Sequence, residues 1–171
     1  MEKIDLYDRN RQLLNQTAFR GEKLPKGTYR LVIHICLFND KDEMLIQQRQ
    51  TTQKHFANLW DLTVGGQVCA GETSWQGVQR ELWEELGINM DMSDILPKLT
   101  VPFKDGFDDI YLLRTNISLD ELTLQKEEVQ AVKWASETDI LDMIGCGEFI
   151  PYYESYIHFL FSMIDGDGTF D

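Results

Sequence analysis

The spacing of apolar and polar positions divides the chain into short strands and a few amphipathic helices. Leu31 to Phe38 is nearly all apolar and β-branched, which predicts a buried strand that ends in a turn at Asn39-Asp40. Met44 to Gln48, Trp60 to Val64 and Val129 to Trp134 read as further strands. Lys98 to Phe103 and Ile110 to Asn116 read as a hairpin around Lys104-Asp105-Gly106. At the N-terminus, Ile4 to Tyr7 and Gln12 to Leu14 predict a second hairpin, an extension over residues 1–20, and the glycines and proline of residues 21–27 mark a loop.

Three- and four-residue spacing appears first at Trp75, Val78, Leu82 and Leu86, an apolar stripe for burial. Thr73 with Gln76 fits a capping box that starts this helix near Ser74, and Gly87 suits the left-handed position just past its end. Ser136 predicts the cap of a short helix running to about Ile144, closed by Gly145 and Gly147. Pro151 is expected to open a last helix to about Ile164, with Tyr156, Phe159, Leu160 and Met163 inward and residues 165–171 as a frayed tail. Strands and helices alternating without repeats place the chain in the α/β (α+β) class. At 171 residues it reads as one domain, long enough to bury a core.

Composition narrows the range of partners. The net charge of −13 repels nucleic-acid polymers and anionic membranes, so a phosphate-bearing ligand would need local cations or a metal to approach. No run of about 18 apolar residues offers a membrane span, and the first residues do not form a signal peptide. Cys36, Cys69 and Cys146 are odd in number and lack CxxC spacing, which argues against a disulfide framework and for a reducing cytoplasm. His34, His55 and His158 are scattered, and none forms a metal-ligand pair by spacing.

The chemistry concentrates on the polar side of the capped helix. Glu81, Glu84 and Glu85 lie three and four residues apart and project together, expected beside the core but not within it. Three carboxylates so placed repel one another, and an oxygen-ligated cation such as Mg²⁺ or Mn²⁺ turns that repulsion into coordination.

The segment from Gly66 to Ile88, GQVCAGETSWQGVQRELWEELGI, resembles the Nudix box, with Gly66, Glu72, Arg80, Glu81, Leu82, Glu84, Glu85, Gly87 and Ile88 at the pattern's positions. The resemblance implies the Nudix fold, a mixed β-sheet sandwiched between α-helices, over roughly Arg20 to Phe161. It also implies cleavage of a diphosphate linkage in a small nucleoside-diphosphate-type substrate by metal-assisted attack of water. Gly66 through its carbonyl, with Glu81, Glu84 and Glu85, would hold the metal, and Glu81 would serve as base or ligand. Family members that recruit a later base point to Glu127 and Glu128 here. Arg80 and Glu72 would mostly support the acidic residues, with Arg80 facing substrate as its other role. Cys69 stands at a free position of the box and reads as packing.

For phosphate contacts, Arg49 and Lys54 are the candidates on the expected substrate side. Asp108 and Asp109 hint at a further metal contact, and Trp60, Phe103 and Phe107 at base stacking. Looser matches outside the box resemble a subgroup related to isopentenyl-diphosphate isomerase. That enzyme needs a cysteine and histidines where this chain has Gly65, Gln67 and Arg30, and Cys69 lies four residues too late to substitute. An isomerase-like enzyme and a non-catalytic nucleotide-binding sensor are the alternatives; the sensor is disfavoured by the complete set of box acids. A homodimer remains open.

Overall fold

The computed structural model describes residues 2–166. A hairpin of β1 (Lys3–Tyr7) and β2 (Leu13–Phe19) precedes the main sheet. That sheet is built from β3 (Arg30–Phe38), β4 (Met44–Arg49), β5 (Trp60–Asp61), β6 (Val64–Gln67), β7 (Leu99–Phe103), β8 (Gly106–Arg114) and β9 (Val129–Ala135). The order β5-β4-β3-β8-β7 forms its spine, with β6 also on β3 and β9 on β4. β3 and β8 run parallel while the other pairs are antiparallel, so the sheet is mixed.

Alternation along β3 builds two cores. Leu31, Ile33, Ile35 and Leu37 face α1 (Ser74–Leu86) with Val64, Val78, Leu82 and Leu86. Cys36 and Phe38 face the other way, toward α2 (Glu137–Gly145) and α3 (Glu154–Ser162), with Ile140, Ile157 and Leu160. The sheet is thus sandwiched between helices, as the resemblance implied.

The caps of α1 follow the sequence. The Thr73 hydroxyl accepts from the Gln76 amide and the Gln76 side chain accepts from the Thr73 amide. Gly87 adopts φ 71°, where its amide donates to Trp83 and that of Ile88 to Leu82, closing the helix end.

Five expectations need correction. The second strand of the N-terminal hairpin, expected over Gln12 to Leu14, runs from Leu13 to Phe19, where Lys3 pairs with Phe19. The strand expected from Trp60 to Val64 is two strands. At its middle, the buried Thr63 hydroxyl donates to the Leu45 carbonyl at 2.5 Å and accepts from the Leu37 amide at 2.9 Å, as the chain passes from pairing with β4 to pairing with β3. β8 begins four residues before Ile110, because Asp108 and Asp109 are absorbed by partners on opposite faces. The last helix starts at Glu154 rather than Pro151, and it buries Ile157 and Leu160 while Phe159 is exposed. Of the expected frayed tail, Asp165 pairs with Arg114, and 167–171 lie outside the described residues.

Candidate active site

The site forms where α1 crosses β6. Gly66 is there because nothing larger fits: a Cβ at this position would lie 2.2 Å from Glu81 Oε1. Glu81 therefore lies directly against the strand, and α1 approaches as closely as a bare backbone allows. Glu81 and Glu85 are only 6% and 5% exposed, while Glu84 faces solvent. The expectation that all three glutamates stand outside the core is thus wrong for two of them. The helix sinks deeply enough at Gly66 to carry both carboxylates inside.

Arg80 organises the acidic residues. Its Nε and Nη2 form a bidentate pair with Glu72 at 2.8 and 3.1 Å, and Nη1 reaches Glu81 at 2.9 Å and Glu84 at 3.1 Å. Nη2 also donates to the Gln67 carbonyl at 3.0 Å, tying the helix to β6. Burial alone would lower the Arg80 pKa, but the hydrogen bonds it donates to Glu72 and the Glu81 charge outweigh it and raise it. Burial likewise pushes Glu72 up, yet the Arg80 and Cys69 hydrogen bonds hold it below its ordinary value. Arg80 thus ties Glu72, Glu81 and Glu84 to one guanidinium.

Among the described residues, Glu85 lacks such a cation. Its partner is Gln47 on β4, whose Nε2 donates at 2.9 Å. Burial, reinforced by the Glu81 charge, pushes its pKa up to about 8. Burial also raises Glu81, opposed by Arg80. A carboxyl group kept protonated near neutral pH inside an acidic cluster is poised to lose its proton when a cation arrives.

The donor set fits a hard cation. All side-chain candidates are carboxylates, Gly66 places no side chain between its backbone and Glu81, and the Oε1 of Gln47 beside Glu85 is buried with no hydrogen-bond partner among the described residues. Among the described residues no three ligating side chains already surround one point, because Arg80 stands between Glu81 and Glu84. Binding a metal there would require those two carboxylates to turn from the guanidinium to the ion.

The other candidates divide. Glu128 is partly buried, accepts from Gln53 at 3.2 Å, and its charge helps raise Glu85, so the structure brings it toward the acidic face; Glu127 is exposed. Both belong to a loop whose backbone closes the end of α1, through Thr123 N–H to the Leu86 carbonyl and Gln125 N–H to the Glu85 carbonyl, each at 2.9 Å. Arg49 is turned to Asp61 at 3.3 Å, whereas Lys54 is exposed. Asp108 and Asp109 do not act together. Asp109 is fully buried against Arg11 and Thr100, and Asp108 faces the opposite side, where both its oxygens lie within 3.0 Å of His34 Nδ1. Phe107 packs into the α1-side core beside Tyr29, Phe103 lies under the Arg30 guanidinium, and Lys133 covers the Trp60 ring.

Two residues of the site were not found from the sequence. Gln47 reads as one more position in a buried strand. Arg20, whose charge acts on Glu81, sits just past β2, where only the packing of the N-terminal hairpin reveals it. An open recess of about 610 Å³ borders the site, lined by Glu2, Trp83, Glu84, Gly87, Thr123, Leu124 and Gln125.

A mixed sheet between helices, with a capped, carboxylate-bearing helix against the bare backbone of Gly66, places the protein in the α/β class with an acidic, cation-seeking site. The family model described as NUDIX domain matches residues 28–153. The chain is 42% identical over 163 residues to an uncharacterised Nudix hydrolase of Listeria monocytogenes, covering 95% of each. A shorter match, 29% over 79 residues, relates 46% of the chain to 42% of the isopentenyl-diphosphate isomerase of Pectobacterium atrosepticum. A crystal structure from Deinococcus radiodurans superposes with a TM-score of 0.76 at 21% identity, over 93% of this chain and 99% of that one. The chain belongs to the Nudix hydrolase family, enzymes acting on pyrophosphate bonds. No helix among the described residues is long and apolar enough to cross a membrane.

Proposed function

We propose that the protein is a metal-dependent pyrophosphohydrolase of the cytoplasm, cleaving a diphosphate linkage in a small nucleoside-diphosphate-type substrate by attack of water. The observation that carries this reading is the buried pair Glu81 and Glu85, in which Glu81 lies against Gly66 and shares Arg80 with other acids while Glu85 has only the Gln47 amide. Gly66 through its carbonyl, Glu81, Glu84 and Glu85 would hold Mg²⁺ or Mn²⁺. The bound ion would offset the charge of the diphosphate and of the leaving phosphate.

The chain's own residues do the rest. Arg80 fixes the Glu72, Glu81 and Glu84 carboxylates, Gln47 fixes Glu85, and the helix cap holds the register of all four acids. Glu81 is the base: burial raises its proton affinity toward the range useful at neutral pH, and the Arg80 hydrogen bond fixes its direction. Glu128, and after it Glu127, are the alternates on the loop behind α1. Lys54 is the freer cation for a substrate phosphate, since Arg49 would first have to leave Asp61.

A panel of diphosphate compounds incubated with Mg²⁺, read by release of phosphate or nucleoside monophosphate, should show turnover that excess EDTA removes. Glu81→Gln should slow it by roughly 10²- to 10⁴-fold with less effect on KM. A larger loss in Glu128→Gln or Glu127→Gln moves the base to the loop. Conversion of isopentenyl diphosphate to dimethylallyl diphosphate at an appreciable rate would overturn the hydrolase reading.

A further inference from the structure

Around Val32, on the sheet face turned away from α1, the chain gathers hydrogen-bond donors with nothing to donate to. Strand alternation puts Gln67 on this face with Gly65, where a Cβ would lie 2.6 Å from the His34 ring. Arg30, Val32 and His34 alternate onto the same face of β3, and Val32 pairs with Gln67 on one side and Asp108 on the other. Gln67 is 7% exposed, its Nε2 is buried, and its side chain makes no hydrogen bond among the described residues. Arg30 Nε is also buried without a partner.

The rest of Arg30 is committed. Its Nη2 reaches Asp105 at 3.4 Å and its guanidinium lies 5.5 Å from the centre of the Phe103 ring. Nε is thus held facing one way, and a guanidinium only donates. The acidic groups near this face are already matched, Asp108 by His34, Asp105 by Arg30, and Asp61 by Arg49 and the Tyr152 hydroxyl. An unpaired buried amide and an unpaired guanidinium N–H together call for a ligand that only accepts, and a charged acceptor returns the most for their burial.

We propose that Gln67 and Arg30 form an oxyanion subsite that takes a phosphate group on the face opposite the acidic helix. The subsite rests on its own donors and does not depend on the chemistry of Glu81 or Glu85. Its phosphate comes either from a distant phosphate of the substrate or from free inorganic phosphate.

The test uses the isotopically labelled full-length protein in EDTA, titrated with inorganic phosphate while the NMR signals of the Gln67 amide and the Arg30 Nε–H are followed. Both should move together and saturate. Gln67→Glu keeps the shape but replaces the donor with a carboxylate oxygen, and should weaken the titration read at Arg30 by roughly tenfold or more. Arg30→Met should do the same at Gln67, and it keeps the test open if the first variant does not fold. No saturable movement, or a Gln67→Glu titration like that of the parent, overturns the subsite and leaves these donors to buried water. With turnover running, inorganic phosphate that raises KM at constant kcat assigns the subsite to the substrate. A fall in kcat at constant KM assigns it to free phosphate. Because the titration is metal-free and needs no turnover, failure of the hydrolase reading leaves its result standing.

Discussion

Gly65 and Gly66 are neighbours on one strand, yet they back onto opposite electrostatic arrangements. Behind Gly65, each charge has one partner: His34 with Asp108, and Arg30 with Asp105. Burial would lower the His34 pKa, but the Asp108 hydrogen bond outweighs it and raises it. Behind Gly66, Arg80 is shared by Glu72, Glu81 and Glu84, Arg20 adds its charge to Glu81, and among the described residues Glu85 has only an amide. Sequence position alone would make these two glycines equivalent. The contrast teaches that only one face is short of positive charge, and an added cation is most useful there.

The largest effect expected from this contrast is at Glu85. In Glu85→Gln, turnover with Mg²⁺ should be abolished while the metal-free protein melts at a higher temperature near neutral pH, because a permanently neutral amide removes the cost of holding a buried acid protonated. Full activity in that variant would erase the distinction between the two faces.

Next come the glycines themselves. Gly66→Ala drives a methyl into the Glu81 carboxyl, 2.3 Å from Cδ, and displacing that group should cost roughly 10²-fold in kcat/KM. Gly65→Ala meets only the edge of the His34 ring, which can turn aside, so its loss should be smaller. Equal losses in steady-state assays would show that the glycines act through strand geometry and not through the side chains behind them.

The smallest effect is on stability against pH. Glu85 has a folded pKa of about 8, above its ordinary value of 4.5. The folded state therefore holds a proton that the unfolded chain releases, and the corresponding stability is full below about pH 4.5 and is lost as pH rises through about 8. Urea unfolding of the metal-free protein should show this decline, Mg²⁺ should flatten it by favouring the ionised carboxyl, and Glu85→Gln should remove it. A profile rising over that interval would mean that Glu85 is ionised in the folded state.

What was legible in the sequence followed from local rules. The α1 caps depend on side chains three residues apart and on a glycine with positive φ, so Thr73, Gln76 and Gly87 could be read directly. The buried strand β3 shows in its apolar run. Long-range events left no local trace. The break between β5 and β6 depends on the Thr63 hydroxyl reaching Leu45 and Leu37. The early start of β8 depends on Arg11 arriving from the N-terminal hairpin to neutralise Asp109. The site was legible as a set of acids, because box spacing fixes their face. Their depth was not, because it depends on how closely α1 approaches the bare strand. Gln47 and Arg20 were missed for the same reason, since each meets the acids only through packing between distant segments.

The loop behind α1 has a consequence for how the protein can change over generations. Its position is set by main-chain groups: Thr123 and Gln125 donate to the end of the helix, and the Glu128 carbonyl accepts from Gln50. Main-chain anchors are indifferent to side-chain identity. The exposed side chains of this segment, Thr123 and Lys126 among them, can therefore be exchanged without moving the ledge they stand on, while Leu124 stays packed on the α1-side core, and the recess beside Glu84 can be reshaped for a different guest while the helix stays in register. Evolvability at this edge is a property of backbone hydrogen bonding, and drift in these side chains is expected to alter preference among substrates sooner than it alters the fold.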